Sequence, residues 1–290
     1  MHFPPSFCIA SRGERVKKGD LRRKLATASR ASLVFEQMNR RGTGHAIFAL
    51  TILSAILLPS VFAAAVEPPI TVTKSTLRLG RADIRVEVFE APGGKERPVI
   101  LVLHGAGGTL LDGPEMRRVS RDLAAAGNAV YLVRYFESTG TLFARDAAMQ
   151  KNFNIWLATV RGAIVAIQQA RNDSAPVGVY GYSLGGFLAL AAASDNPRVG
   201  AVVEHAGGVW NSRMERIGKM PPVLMIHGKR DARVPFEKYA EPLIPVLRER
   251  GAAVETRFFS AEGHGFTPAT MSLTREAAAR FFRRHLPGDG

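Results

Sequence analysis

Residues 177–186 read Val-Gly-Val-Tyr-Gly-Tyr-Ser-Leu-Gly-Gly. A short apolar run with β character passes through Gly181-Tyr182-Ser183-Leu184-Gly185 into the helix-forming stretch Leu184–Ala193. The spacing has a physical cause. A serine on a sharp strand-to-helix turn sits in strained backbone geometry, and flanking glycines let strand and helix pack closely around it. Its hydroxyl then stands above a sheet, while the new helix aims unbonded N–H groups at the same spot. Many glycine-rich turns contain serine by chance, so the strand-turn-helix context carries the weight.

Outward from this turn the chain alternates. Short continuous apolar runs at Val99–Leu103, Ala129–Val133, Val177–Tyr180, Val199–Val203 and Val223–Ile226 fit strands buried on both faces of a parallel sheet. Helix-length segments lie between them, near Met116–Ala126, Phe143–Arg171, Leu184–Ala193 and Phe236–Arg250. A last strand, Val254–Phe259, precedes a closing helix from Ser272 to His285, and Ile70–Leu79 with Ile84–Glu90 reads as an antiparallel hairpin around Gly80. This pattern predicts an α/β fold with a mostly parallel, doubly wound sheet of about eight strands flanked by helices. Reactive groups then belong in loops at the carboxyl ends of strands.

A serine hydroxyl needs a base, and the base needs an orienting group. Of the seven histidines, His104 and His227 each end a strand before a glycine and read as structural. His264, in Glu262-Gly-His264-Gly-Phe266 after the last strand, sits on a loop free to reach over the sheet; His205 is its rival. Asp231 follows the strand Val223–Ile226 and is the expected acid, with a turn-capping role as the plainer reading and Glu262 as competitor. The order Ser183, Asp231, His264 is that of a hydrolytic constellation spread over three strand ends. The loop His104-Gly105-Ala106-Gly107-Gly108 is expected to supply one oxyanion donor, Ala106 first and Gly107 second, with Leu184 N–H as the other. It lacks the endings of a phosphate-binding loop or a dinucleotide fingerprint.

Composition sets the outer bounds. Apolar residues are 46% and charged residues 22%, ordinary globular usage, which excludes wholesale disorder and fibrous architectures. The formal charge of +14 invites a nucleic-acid reading, but half of that excess lies in residues 1–41. Residues 1–37 read as a basic N-terminal extension, expected to be either a mis-assigned start ahead of Met38 or a disordered segment. Residues 38–65, with Arg40-Arg41, the apolar run Ala46–Phe62 and then small residues, have the layout of a signal peptide, or alternatively of a membrane anchor. Residues 66–290 then form one domain, and the chain is expected to be exported, periplasmic or secreted. Membrane contact is expected only if the leader stays on. The one cysteine, Cys8, excludes an intramolecular disulfide framework, and no cluster of Cys and His has structural-zinc spacing.

Three stretches carry a family resemblance: PPVLMIHGKRDARVP (221–235), AEGHGF (261–266) and the Trp156–Ile167 helix ahead of the serine turn. The sequence resembles the α/β-hydrolase superfamily over 70–286, and within it the dienelactone hydrolase family. The resemblance implies hydrolysis of a small carboxylic ester or lactone without metal or organic cofactor. Dienelactone hydrolases proper use cysteine where this chain has Ser183, which points to a generic carboxylesterase. About 18 residues separate the strands ending near Glu204 and starting near Val223, so no large cap domain is expected and the pocket should be shallow. Tyr135, Phe136, Trp210 and Phe266 are the expected wall residues. A prolyl oligopeptidase-like peptidase and a non-catalytic binding protein on the same fold are the alternatives, and no nucleic-acid partner is expected.

Overall fold

Eight strands form a single sheet in the order β1-β2-β4-β3-β5-β6-β7-β8. They are β1 (Thr71–Leu79), β2 (Ala82–Glu90), β3 (Val99–Leu103), β4 (Ala129–Val133), β5 (Val177–Tyr182), β6 (Val199–His205), β7 (Val223–Gly228) and β8 (Val254–Phe259). The computed structural model describes residues 69–80, 82–93 and 97–286; the expected extension and leader lie outside them. β1 and β2 pair antiparallel in a tight hairpin whose register closes at Leu79↔Ala82, with Gly80 at φ 63° in the turn. β2 meets β4 antiparallel, and every pairing from β4 to β8 is parallel.

β3 is buried along its whole length, as a strand covered on both faces must be. On one face lie α2 (Asp146–Arg171), α3 (Leu184–Ala193) and α4 (Leu243–Glu249). α2 buries Phe153, Trp156, Val160, Ala163, Ile164 and Ile167, the three-to-four spacing of a helix with one apolar stripe. On the other face α1 (Gly113–Ala125) and α5 (Pro268–His285) cover the sheet through Met116, Val119, Leu123, Phe281 and Phe282. Phe282 lies so close to β5 that a Cβ at Gly178 would meet its ring at 2.7 Å, so the strand carries glycine there. Among the described residues no helix is long and apolar enough to cross a membrane.

Several expected helix boundaries move, each for a local reason. The expected helix Phe236–Arg250 is two pieces, a turn at Phe236–Tyr239 and then α4, with Pro242 at the break, where it has no N–H to carry the helical ladder on. α2 starts at Asp146 rather than Phe143, since Ala144 N–H donates to Ala106 O at 2.7 Å and holds that stretch against the loop after β3. α5 starts at Pro268 rather than Ser272, with Thr267 as N-cap and proline in the first turn, where its missing N–H does no harm.

Tyr135 and Phe136 do not line the space at Ser183, although Phe136 borders a separate hollow with His104 and Leu142. The 3₁₀ turn Tyr135–Thr139 folds both inward, to 0% and 3% exposure. Tyr135 stacks on His104 at 4.2 Å and donates to the His104 carbonyl, while Phe136 packs on Trp156 at 4.4 Å. Trp156 is itself fully buried and donates from Nε1 to Thr139 Oγ1 at 2.8 Å. Truncating it to alanine empties this cluster and removes one of the three partners of the Thr139 hydroxyl, which keeps Phe136 O and Thr141 Oγ1. We expect Trp156→Ala to lower stability by about 3–5 kcal/mol. Urea unfolding should show this as a lower midpoint at unchanged slope.

Candidate active site

β5 ends in a turn that leaves Ser183 at φ 54° and ψ −119°, a left-handed conformation that a residue with a side chain seldom adopts. The glycines on either side make this possible by admitting backbone. A Cβ at Gly181 would collide with the Gly185 carbonyl, and one at Gly185 with the carbonyls of Leu103 and His104. The turn is then pinned from the neighbouring strand, as Ser183 N–H donates to His205 O at 2.8 Å.

The loop after β8 brings His264 over this turn. Its Nε2 lies 2.9 Å from Ser183 Oγ, and its Nδ1 lies 2.8 Å from Asp231 Oδ2. Tyr182 steadies that loop by donating from its hydroxyl to the His264 carbonyl at 3.1 Å, a positioning contact that the sequence reading passed over. The Asp231 side chain is fully buried, and its Oδ1 accepts from the N–H groups of Arg233 and Val234, each at 2.8 Å. Asp231 therefore does both things considered for it, capping the turn before Phe236 and facing His264. Burial works to raise its carboxyl, but hydrogen bonds from His227, His264 and Val234 prevail and hold it well below the usual carboxylate range.

The rival groups have other employment. His205 is fully buried with Nδ1 at 2.7 Å from the Tyr180 hydroxyl, and burial pushes its pKa down to about 3. Glu262 accepts from Thr267 N–H and from the hydroxyls of Thr267 and Thr270, tying down the start of α5. His104 is pushed down to about 4 by burial. His227 Nε2 lies 2.8 Å from the Val234 carbonyl, bracing the turn that carries Asp231.

Ser183 opens into a cavity of about 270 Å³ shared with Ala106, Leu184 and Trp210. Gly107 N–H already donates to Asp112 Oδ2 at 3.0 Å, which leaves Ala106 as the candidate donor from that loop. Of the four expected wall residues only Trp210 is there. Phe266 lies on the other side of the sheet against Phe259 and His205, because the chain turns into α5 directly after His264. The rest of the wall comes from Asp146, Met149 and Gln150 on α2, Phe187 on α3, and Arg233, Val234 and Tyr239 after β7. Arg233 and Asp146 pair across the mouth at 2.8 Å.

One buried carboxyl sits beneath the serine turn. Glu204, at the end of β6, is fully buried; its Oε1 accepts from Gly207 N–H, and its Oε2 has no hydrogen-bond partner among the described residues. Burial pushes its pKa from 4.5 up to about 7, partly opposed by the nearby His227. A carboxyl that holds its proton more tightly when folded than when unfolded stabilises the fold fully at low pH. That contribution is lost as pH rises from about 4.5 to about 7 and the loss then levels off. Gln at this position keeps the acceptor for Gly207 and does not titrate. The stability of Glu204→Gln relative to wild type should therefore improve by about 3 kcal/mol between pH 4.5 and pH 8. Urea midpoints at the two pH values measure it, and a difference independent of pH would contradict it.

Solved structures share this architecture at low identity. A dienelactone hydrolase from Anabaena variabilis superposes with a TM-score of 0.56 and 19% identity, covering 75% of this chain and 99% of that one. A dienelactone hydrolase-like promiscuous phosphotriesterase from metagenomic libraries gives 0.61 and 18%, covering 75% and 99%. The acylaminoacyl peptidase of Pyrococcus horikoshii gives 0.60 and 15%, covering 76% of this chain and 43% of that one. No curated protein matches the sequence. These likenesses carry the α/β-hydrolase fold, and the family follows from the sequence itself. The model of the dienelactone hydrolase family matches residues 85–286, most of the described chain, and the protein belongs to that family.

Proposed function

We propose that the protein is a serine hydrolase that cleaves a small carboxylic ester or lactone through an acyl-enzyme. The observation that supports this most directly is the unbroken relay from Ser183 Oγ through the His264 ring to Asp231, at 2.9 and 2.8 Å. Ser183 attacks the ester carbonyl carbon while His264 Nε2 takes its proton. Asp231 accepts from Nδ1–H, which fixes the tautomer and stabilises the imidazolium. The N–H of Leu184, at the head of a helix where such groups lack intrahelical acceptors, and that of Ala106 hold the developing oxyanion. The C–O bond breaks as His264 protonates the leaving alkoxide, and water activated by the same base releases the acid.

The cavity of about 270 Å³ suits a short acyl or alcohol group, with Trp210, Phe187 and Met149 as its apolar side. We take the chain to be exported on the strength of the leader layout in residues 38–65.

Short-chain p-nitrophenyl esters, assayed beside the matching p-nitroanilides, test the reading. Ester turnover should fall by about 10⁶ in Ser183→Ala. In Asp231→Asn, which leaves the ring without its acceptor, it should fall by about 10⁴. Faster cleavage of anilides than esters would replace the esterase with a peptidase. Equal, feeble rates in wild type and Ser183→Ala would make the protein a binding protein on a hydrolase fold.

A further inference from the structure

A second pocket lies beside the Ser183 cavity, enclosed by α2, α3 and the connection from β6 to β7. Its volume is about 150 Å³. Phe153, Phe187, Leu190, Val209, Ile217 and Met220 give it an apolar interior. Phe187 and Trp210 also line the Ser183 cavity, so these two stacked rings, 4.9 Å apart, stand between the spaces. An apolar hollow of this volume takes a ligand about the size of benzene, roughly six carbon atoms.

Its rim carries Arg161, Arg213 and Arg216. Arg161 donates to the carbonyls of Ala191 and Ser194, and Arg213 donates to Asn154 Oδ1 while lying 4.7 Å over the Phe153 ring. Among the described residues none of the three has a carboxylate within salt-bridge distance. Three cations gathered at the mouth of one apolar hollow, with no carboxylate beside them, match one kind of ligand. It has a short hydrocarbon chain and a terminal anionic group of carboxylate geometry, which guanidinium groups bind well.

We propose that this pocket is a binding site for a linear monocarboxylate of about six carbons, its chain among the apolar side chains and its carboxylate at Arg213 and Arg216. Such a molecule is of the class that ester hydrolysis releases. The site nevertheless stands on its own residues and does not depend on Ser183 chemistry.

Quenching of Trp210 fluorescence by 6-bromohexanoate, titrated into the full chain, tests it. The other tryptophan, Trp156, is fully buried and lines neither cavity. Quenching should saturate, and should be at least about tenfold weaker for neutral 6-bromohexan-1-ol. Displacement by acetate, butyrate and hexanoate should tighten about fourfold per added methylene. Arg213→Ala with Arg216→Ala should erase the preference for the acid. Ala191→Phe, which fills the hollow, should abolish quenching, and Ala191→Leu serves the same purpose should the larger ring prevent folding. Ser183→Ala should bind as wild type does, so an inactive enzyme and an empty pocket give different results. Equal binding of the alcohol, or no gain from acetate to hexanoate, would overturn the assignment. So would quenching that survives both Ala191 variants, since it would put the ligand in the Ser183 cavity.

Discussion

The site depends on one local conformation, the left-handed backbone of Ser183. Holding a non-glycine residue there costs about 1–3 kcal/mol and persists only where the surroundings over-determine it. Here they do. The serine N–H is bonded to β6, the Ser183 carbonyl accepts from Gly186 N–H and Phe187 N–H, and glycine at 181 and 185 lets α3 lie against the end of β3. The next layer is equally tight, since a Cβ at Gly207 would meet the Ser183 carbonyl at 2.9 Å. The serine hydroxyl is thus aimed by backbone packing before any histidine reaches it.

The ground beneath this turn is unusually polar for a parallel sheet. Glu204, His205 and His227 end adjacent strands at 0% exposure, and His104 is at 1%. Unpaired buried groups of this kind cost free energy, which argues against their being there for stability. Several are held in one protonation state instead. Burial keeps His104 and His205 neutral, so they act as fixed hydrogen-bonding struts, whereas His227 is raised through its partnership with Asp231 despite its own burial. His264 differs from these in position, on a loop with a quarter of its side chain exposed. Partial exposure, together with contacts to Asp231 on one ring nitrogen and Ser183 on the other, distinguishes it from the other histidines.

That distinction was legible in the sequence because it follows strand ends. Apolar runs mark strands, strands mark their carboxyl ends, and chain order then separates Ser183, Asp231 and His264 from the other candidates. The wall of the cavity was not legible in this way. It is assembled from one face of α2, the start of α3 and the turn after β7, and the position of a helix start decides which residues of that face look inward. The backbone bond from Ala144 to Ala106 sets that start for α2, and no periodicity encodes it. Tyr135 and Phe136 show the opposite failure. Aromatic residues just past a strand end look like a pocket wall, but a 3₁₀ turn rotates them into the core beside Trp156, where their large apolar area is better buried.

The short connection between β6 and β7 joins these points. With so few residues it can form only a single helical turn, Asn211–Met214, and it covers the sheet with side chains in place of a domain. Ala206 at φ 53° and Gly208 at φ 150° bend it back on itself, and the bend delivers Trp210 between Phe153 and Phe187. A larger insertion could enclose each cavity separately. Here one indole must serve both, so any change in the backbone at 206–210 alters the space above Ser183 and the neighbouring hollow together. The shape of the space above Ser183 is therefore coupled, through a single aromatic stack, to that of the hollow beside it.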